Sequence, residues 1–131
     1  KTGYNAGLAL SYEPFDLSDA STGSTFITGI FGGWSNNRLR AGGEYDRRAI
    51  TDDEDTQIIS AYFTTALNEK LGAIFRIDQF DNAGDTELYV ILGGQWLPEK
   101  GLRIVPNIQY TKVNSNEEGS TSLFVNFEFK I

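Results

Sequence analysis

Few residues in this chain could do covalent chemistry. It has no histidine and no cysteine, so an imidazole base, a thiol nucleophile and a Cys/His metal site are all excluded. Ser60, Ser122 and Thr64 carry hydroxyls, but a hydroxyl needs an adjacent base before it attacks anything. None is evident, and the three read as small polar residues of a sheet wall. Asp52, Asp53, Glu54 and Asp55 crowd together the hard oxygens that suit calcium. They lack the spacing of a defined loop and read as a solvated one. Asp81, Asn82 and Asp85 around Gly84 read as a polar turn. No catalytic residue, metal or cofactor is expected, and the chain is not expected to be an enzyme.

The better-defined constellation is electrostatic. Arg38, Arg40, Glu44, Asp46, Arg76, Asp78, Glu87, Arg103, Glu128 and Lys130 each alternate with apolar neighbours. On extended strands they share one face. Inside a narrow barrel, whose lumen is just filled by side chains, they would form a buried, paired network, because lone charges are costly there. In a wider barrel they would line a water-filled channel. Arg38, Arg40, Arg76 and Arg103 would then be a basic ladder for anions, and the mixed signs would make selectivity weak.

The elements that position these residues are eight period-two segments: 4–13, 26–35, 38–46, 58–67, 71–80, 87–96, 102–110 and 123–131. The last shows the pattern best, with Leu123, Val125, Phe127, Phe129 and Ile131 on one side and Phe124, Asn126, Glu128 and Lys130 on the other. The second is the least polar on its polar side (Ile27, Gly29, Phe31, Gly33). Pro106 cannot donate to a ladder, so an irregularity is expected there. Asn36-Asn37, Asn68-Glu69-Lys70 and Pro98-Glu99-Lys100-Gly101 read as tight turns. The other connections read as longer and mostly acidic, so connection lengths alternate and both termini fall on the tight-turn side.

Aromatics on the apolar face are sorted to two levels. Tyr4, Trp34, Trp96 and Phe129 lie near the tight turns, and Tyr12, Phe26, Tyr45 and Tyr110 near the longer loops. Between them lie mainly Ala, Gly, Leu, Ile and Val. Val90 reads as mid-strand in the sixth segment. Eight residues separate Tyr4 from Tyr12, which at about 3.3 Å per residue and about 40° tilt spans roughly 20 Å. A membrane barrel's apolar band is about 25 Å tall with aromatic girdles at both rims. The expected fold is therefore all-β: an antiparallel up-and-down transmembrane β-barrel of eight strands, or eight strands of a larger barrel, in a single domain over 1–131. The alternative is a soluble lipocalin-like barrel that turns the same apolar face inward around a small apolar ligand.

Composition is compatible with either. A net charge of −7 argues against nucleic acid as a partner. Apolar runs are too short for a membrane helix, and no signal-peptide pattern follows Lys1, which starts either a mature form or a piece of a longer chain. Mean hydropathy is −0.31, a measure blind to strands that alternate polar and apolar residues.

The stretch 58–113 resembles the C-terminal strands of bacterial outer-membrane porins of the phosphate-selective O/P type. The residues that carry the likeness are Leu67-Asn68-Glu69-Lys70-Leu71-Gly72 at a turn, Arg76-Ile77-Asp78-Gln79-Phe80-Asp81-Asn82 entering a loop, and Leu97-Pro98 followed by Leu102-Arg103-Ile104-Val105-Pro106-Asn107-Ile108-Gln109-Tyr110. The final strand is similar to the terminal assembly signal of such barrels, which usually ends in Phe, whereas here Phe129 precedes a final Ile131. The resemblance covers roughly half the chain and is structural. It implies a place in the bacterial outer membrane, lipid as the main partner, small solutes or ions as cargo, and passive passage or a structural role. Outer-membrane enzymes of known kinds rely on a histidine, which this chain lacks.

Overall fold

The computed structural model describes residues 2–16, 22–51, 54–82, 84–114 and 118–130. Eight strands follow in chain order: β1 (Gly3–Asp16), β2 (Thr22–Ser35), β3 (Leu39–Ile50), β4 (Thr56–Ala66), β5 (Leu71–Asn82), β6 (Asp85–Glu99), β7 (Leu102–Val113) and β8 (Ser120–Phe129). They form one antiparallel sheet in the order β1-β2-β3-β4-β5-β6-β7-β8. The backbone of each strand lies beside only its neighbours in sequence. All eight alternating segments are strands, with Ile131 outside the described residues.

Local chemistry sets the tight turns. In the β2–β3 connection the Asn36 side-chain oxygen accepts the backbone N–H groups of Arg38 and Leu39, both at 2.8 Å. Asn68 repeats the device between β4 and β5, accepting from Lys70 and Leu71 at 2.8 Å. An asparagine that bonds the backbone two and three residues on is a self-contained turn. Between β6 and β7, Gly101 supplies a φ of +87°, a conformation that costs residues with a Cβ.

The connections at the other end differ from expectation. Strands run on past the segments read from sequence: β1 reaches Asp16, β2 begins at Thr22, and β5 and β6 meet through the pair Asn82 and Asp85. The alternation of long and short connections is therefore weaker than expected. Polar side chains hold these extensions together, and the apolar pattern does not register them. Ser24 N–H donates to Thr51 Oγ1 at 2.9 Å, Thr56 Oγ1 to Asn82 at 3.2 Å, and Asn114 Nδ2 to Asp85 at 3.0 Å.

The irregularity expected at Pro106 is present. The β6–β7 pairs skip from Gly93↔Asn107 to Trp96↔Ile104 with the register kept, so the ladder is interrupted opposite Pro106, while the register shift lies further on, between Trp96 and Glu99. Beside the proline, the Asn107 side chain donates to the Val105 carbonyl at 3.1 Å. That bond satisfies an acceptor next to the one position that cannot donate.

The sheet is not closed into a barrel: β1 and β8 are not partners. A physical reason lies on the charged face. An eight-stranded barrel leaves room only for its own side chains, and this face carries Phe31, Tyr62, Phe80, Tyr89 and Phe124 besides its charges. No hydrophobic residue among those described is buried. A soluble domain of this size gains its stability from burying apolar surface, and this single layer has no second layer to bury it against. The apolar face needs a cover that the described residues do not supply.

Candidate functional site

Register decides which side chains share a face, because directly paired residues point the same way. Tyr4 pairs with Trp34 and Tyr12 with Phe26. Tyr45 lies between Ile30 and Ile59, Trp96 opposite Leu71, Tyr110 opposite Val90, and Phe129 opposite Leu102. All eight expected belt residues therefore lie on one face. It is strongly exposed, with Tyr4 at 83 % and Phe129 at 72 %.

The belts are not straight along the ladder. Following partners from Tyr4 leads through Trp34, Ala41, Phe63, Phe75, Leu92 and Ile108 to Leu123. Trp96 is four residues past Leu92, and Phe129 six past Leu123, both toward the tight turns. The loop-side belt steps in the same direction. Tyr45 lies four residues below Ala49, the partner of Phe26. Tyr110 lies two more below Lys112, which is in the row of Tyr45. A drop of six residues, about 20 Å, over seven strand spacings, about 34 Å, corresponds to a tilt of about 30°. Closed barrels tilt their strands by about 35–45°. The same stepping makes Leu92 the middle of the band on β6. Val90, read as mid-strand from sequence, sits opposite the belt residue Tyr110.

The opposite face carries the charges. Arg40, Glu44, Asp46, Arg76, Asp78, Glu87, Arg103 and Glu128 all point there by register, with Arg38 in the turn before β3. Lys130 follows β8, its backbone N–H bonded to the Gly101 carbonyl. The structure joins four of these residues. Arg76 Nε donates to both Asp78 oxygens, at 2.8 and 3.0 Å, and Glu44 also acts on the guanidinium. Arg103 Nη1 lies 2.9 Å from Glu128. Arg38, Arg40, Glu44, Asp46, Glu87 and Lys130 make no ion pair among the described residues. The pairs are not buried, as the narrow-barrel reading required: the Arg103 and Glu128 side chains are 43 % and 61 % exposed. An open sheet leaves this face wet, and such pairs contribute about 1 kcal/mol or less each.

Sequence reasoning missed two features of this face. One is a chain of neutral polar groups across β6 and β7. Tyr89 donates to Gln109 at 2.7 Å, and Gln109 donates to Asn107 at 3.0 Å. Asn107 is among the few buried residues, at 5 % exposure. The other is a set of rings laid over glycines of the adjacent strand. Phe31 covers Gly7, Phe15 covers Gly23, and Tyr62 covers Gly42 with its hydroxyl over Gly33. The buried residues Gly23, Thr25, Gly29, Ser60 and Asn107 all lie on this face, so the sheet is crowded on its charged side. One groove is lined by Arg40 of β3 and Arg103 of β7 together. These strands would be about 19 Å apart in a flat sheet, so the sheet curls toward that side. The pairing of Gly with an aromatic was a readable signal once the register was known.

Among the described residues, no hydrogen bond joins Ser60, Thr64 or Ser122 to a base, and no group of three potential metal ligands forms. Asp52 and Asp53 lie outside the described residues, and Asp55 is held by Arg47. No helix is long and apolar enough to cross a membrane. No family model, curated protein or solved structure matches the chain, so the functional argument rests on the sheet.

Proposed function

We propose that these eight strands are wall strands of an outer-membrane β-barrel of porin-like ancestry. The apolar face meets lipid and the charged face meets an aqueous lumen. The barrel acts as a passive pore for small solutes and ions or as a structural barrel. The observation that carries this reading is the pair of aromatic belts stepping together across the sheet. Eight residues at about 30° of tilt give a band of roughly 23 Å, against about 25 Å for the apolar band of a membrane barrel. Trp and Tyr are the residues that settle at membrane–water interfaces. The curl toward the charged side supports the same facing, since a lipocalin-like carrier would need the opposite curl. The bulk of the inner face and the two free edges support a wider barrel than eight strands, which in the tests below closes by edge-to-edge pairing of copies of this chain.

The test is refolding in detergent, followed by gel mobility of boiled and unboiled samples with a detergent-free control. A heat-dependent mobility shift seen only with detergent is expected. A monodisperse β-protein in plain buffer would overturn the reading.

A further inference from the structure

The charges of the inner face are segregated along the strands. At the tight-turn end lie Arg38, Arg40, Arg103 and Lys130. Glu128 is bonded to Arg103, and Arg38 and Arg40 are left without a carboxylate partner among the described residues. Toward the loop end lie Glu13, Asp46 and Glu87, none of them in an ion pair among the described residues, with Asp85 beyond. Three cations stand at that end. Arg47 is bound to Asp55 and Lys112 shares the apolar face by register with Leu88, which leaves Arg48 on the inner side. Between the two zones Arg76 and Asp78 cancel each other, with Glu44 in the row of Asp78.

We propose that the lumen lined by this face is electrically polar along its axis, and that the pore rectifies, passing more current when the loop side is positive. This rests on the pore reading above. Narrow passages lined by one sign of charge concentrate the opposite ion. The acidic mouth gathers cations and the basic mouth gathers anions. A positive potential on the loop side drives each ion inward through the mouth that concentrates it, so the lumen fills with carriers. The reverse potential drains both. Salt removes the effect, because the screening length falls from about 10 Å at 0.1 M to about 3 Å at 1 M.

The experiment is current–voltage recording of the refolded full chain in planar bilayers in potassium chloride. Orientation is read from Glu118→Cys, the only thiol in the chain, blocked by an impermeant reagent added to one compartment. The expected current ratio between the two polarities is about two or more at 0.1 M, falling toward one at 1 M. Arg40→Gln with Arg103→Gln lowers the ratio, and so, from the other mouth, does Asp46→Asn with Glu87→Gln. Either pair suffices should the other fail to give the heat-shifted form. A linear response at 0.1 M, the opposite polarity, or a ratio unmoved by neutralising either mouth overturns rectification and leaves the pore standing. Heat-shifted protein that conducts nothing removes the pore and the rectification together.

Discussion

Leu92 and Ile91 are neighbours on β6 at nearly the same depth, pointing to opposite faces. Leu92 is 57 % exposed on the apolar face, between Phe75 and Ile108 in its row. It lies midway between the level of Trp96 and the level of Leu88. Ile91 lies on the charged face between Arg76 and Gln109. If the apolar face meets lipid, Leu92→Arg places a guanidinium near the bilayer midplane at a cost of about 2–4 kcal/mol. That is a shift of roughly 30- to 1000-fold in the folding equilibrium. Ile91→Arg instead enters a wet lumen. Its penalty is repulsion from Arg76, about 1 kcal/mol at contact distance in water and less because Asp78 already neutralises that charge. The assay is urea titration of folding into phosphatidylcholine vesicles, read by the fluorescence of Trp34 and Trp96. Val90→Arg, nearer the loop-side belt, should fall between the two. An Ile91→Arg cost equal to or above that of Leu92→Arg would refute the facing.

Further expectations concern the sheet itself. A methyl group at Gly42 would sit 2.6 Å from the Tyr62 ring. Gly42→Ala should therefore cost about 1–2 kcal/mol, with much of the loss cancelled in the Tyr62→Ala background, where a strictly additive cycle would contradict the packing. At the turns, Asn36→Ala removes the side-chain acceptor of the Arg38 and Leu39 backbone N–H groups and should cost about 1–2 kcal/mol. Gly101→Ala, at φ +87° with the Lys130 carbonyl 2.7 Å from a new Cβ, should cost at least about 1 kcal/mol. Lys100→Ala in the same turn should change the urea midpoint little.

The strand count, the division of each strand into two faces and the tight turns were legible because period-two alternation and asparagine or glycine turn chemistry are local. The register was not. It emerges from pairing, and only with it do the belts line up with a common tilt and the rings find their glycines. Strand ends at the loop side were hidden because they are held by Ser24, Thr51, Thr56 and Asn114, residues whose polarity reads as loop. Closure was misjudged for a different reason. Alternation says which residues share a face, but the curvature of that face depends on how much side-chain bulk it carries. Phe31, Tyr62 and Tyr89 on the charged side, with the glycines beneath them, set that curvature. The charged residues do share one face by register, yet their pairing was not readable. Arg76 finds Asp78 on its own strand and Arg103 finds Glu128 across a strand pair, while Arg38 and Arg40 find no carboxylate among the described residues.

The central claim is that the belted face touches lipid. Trp34 and Trp96, the only tryptophans of the chain, both lie on that face at its turn-side edge. The direct measurement is quenching of their fluorescence in refolded protein by lipids brominated along the acyl chain, compared with aqueous iodide. The account predicts strong quenching by the brominated lipid, greatest for bromines near the headgroup end of the chain, and little by iodide. Quenching by iodide without quenching by lipid would contradict it.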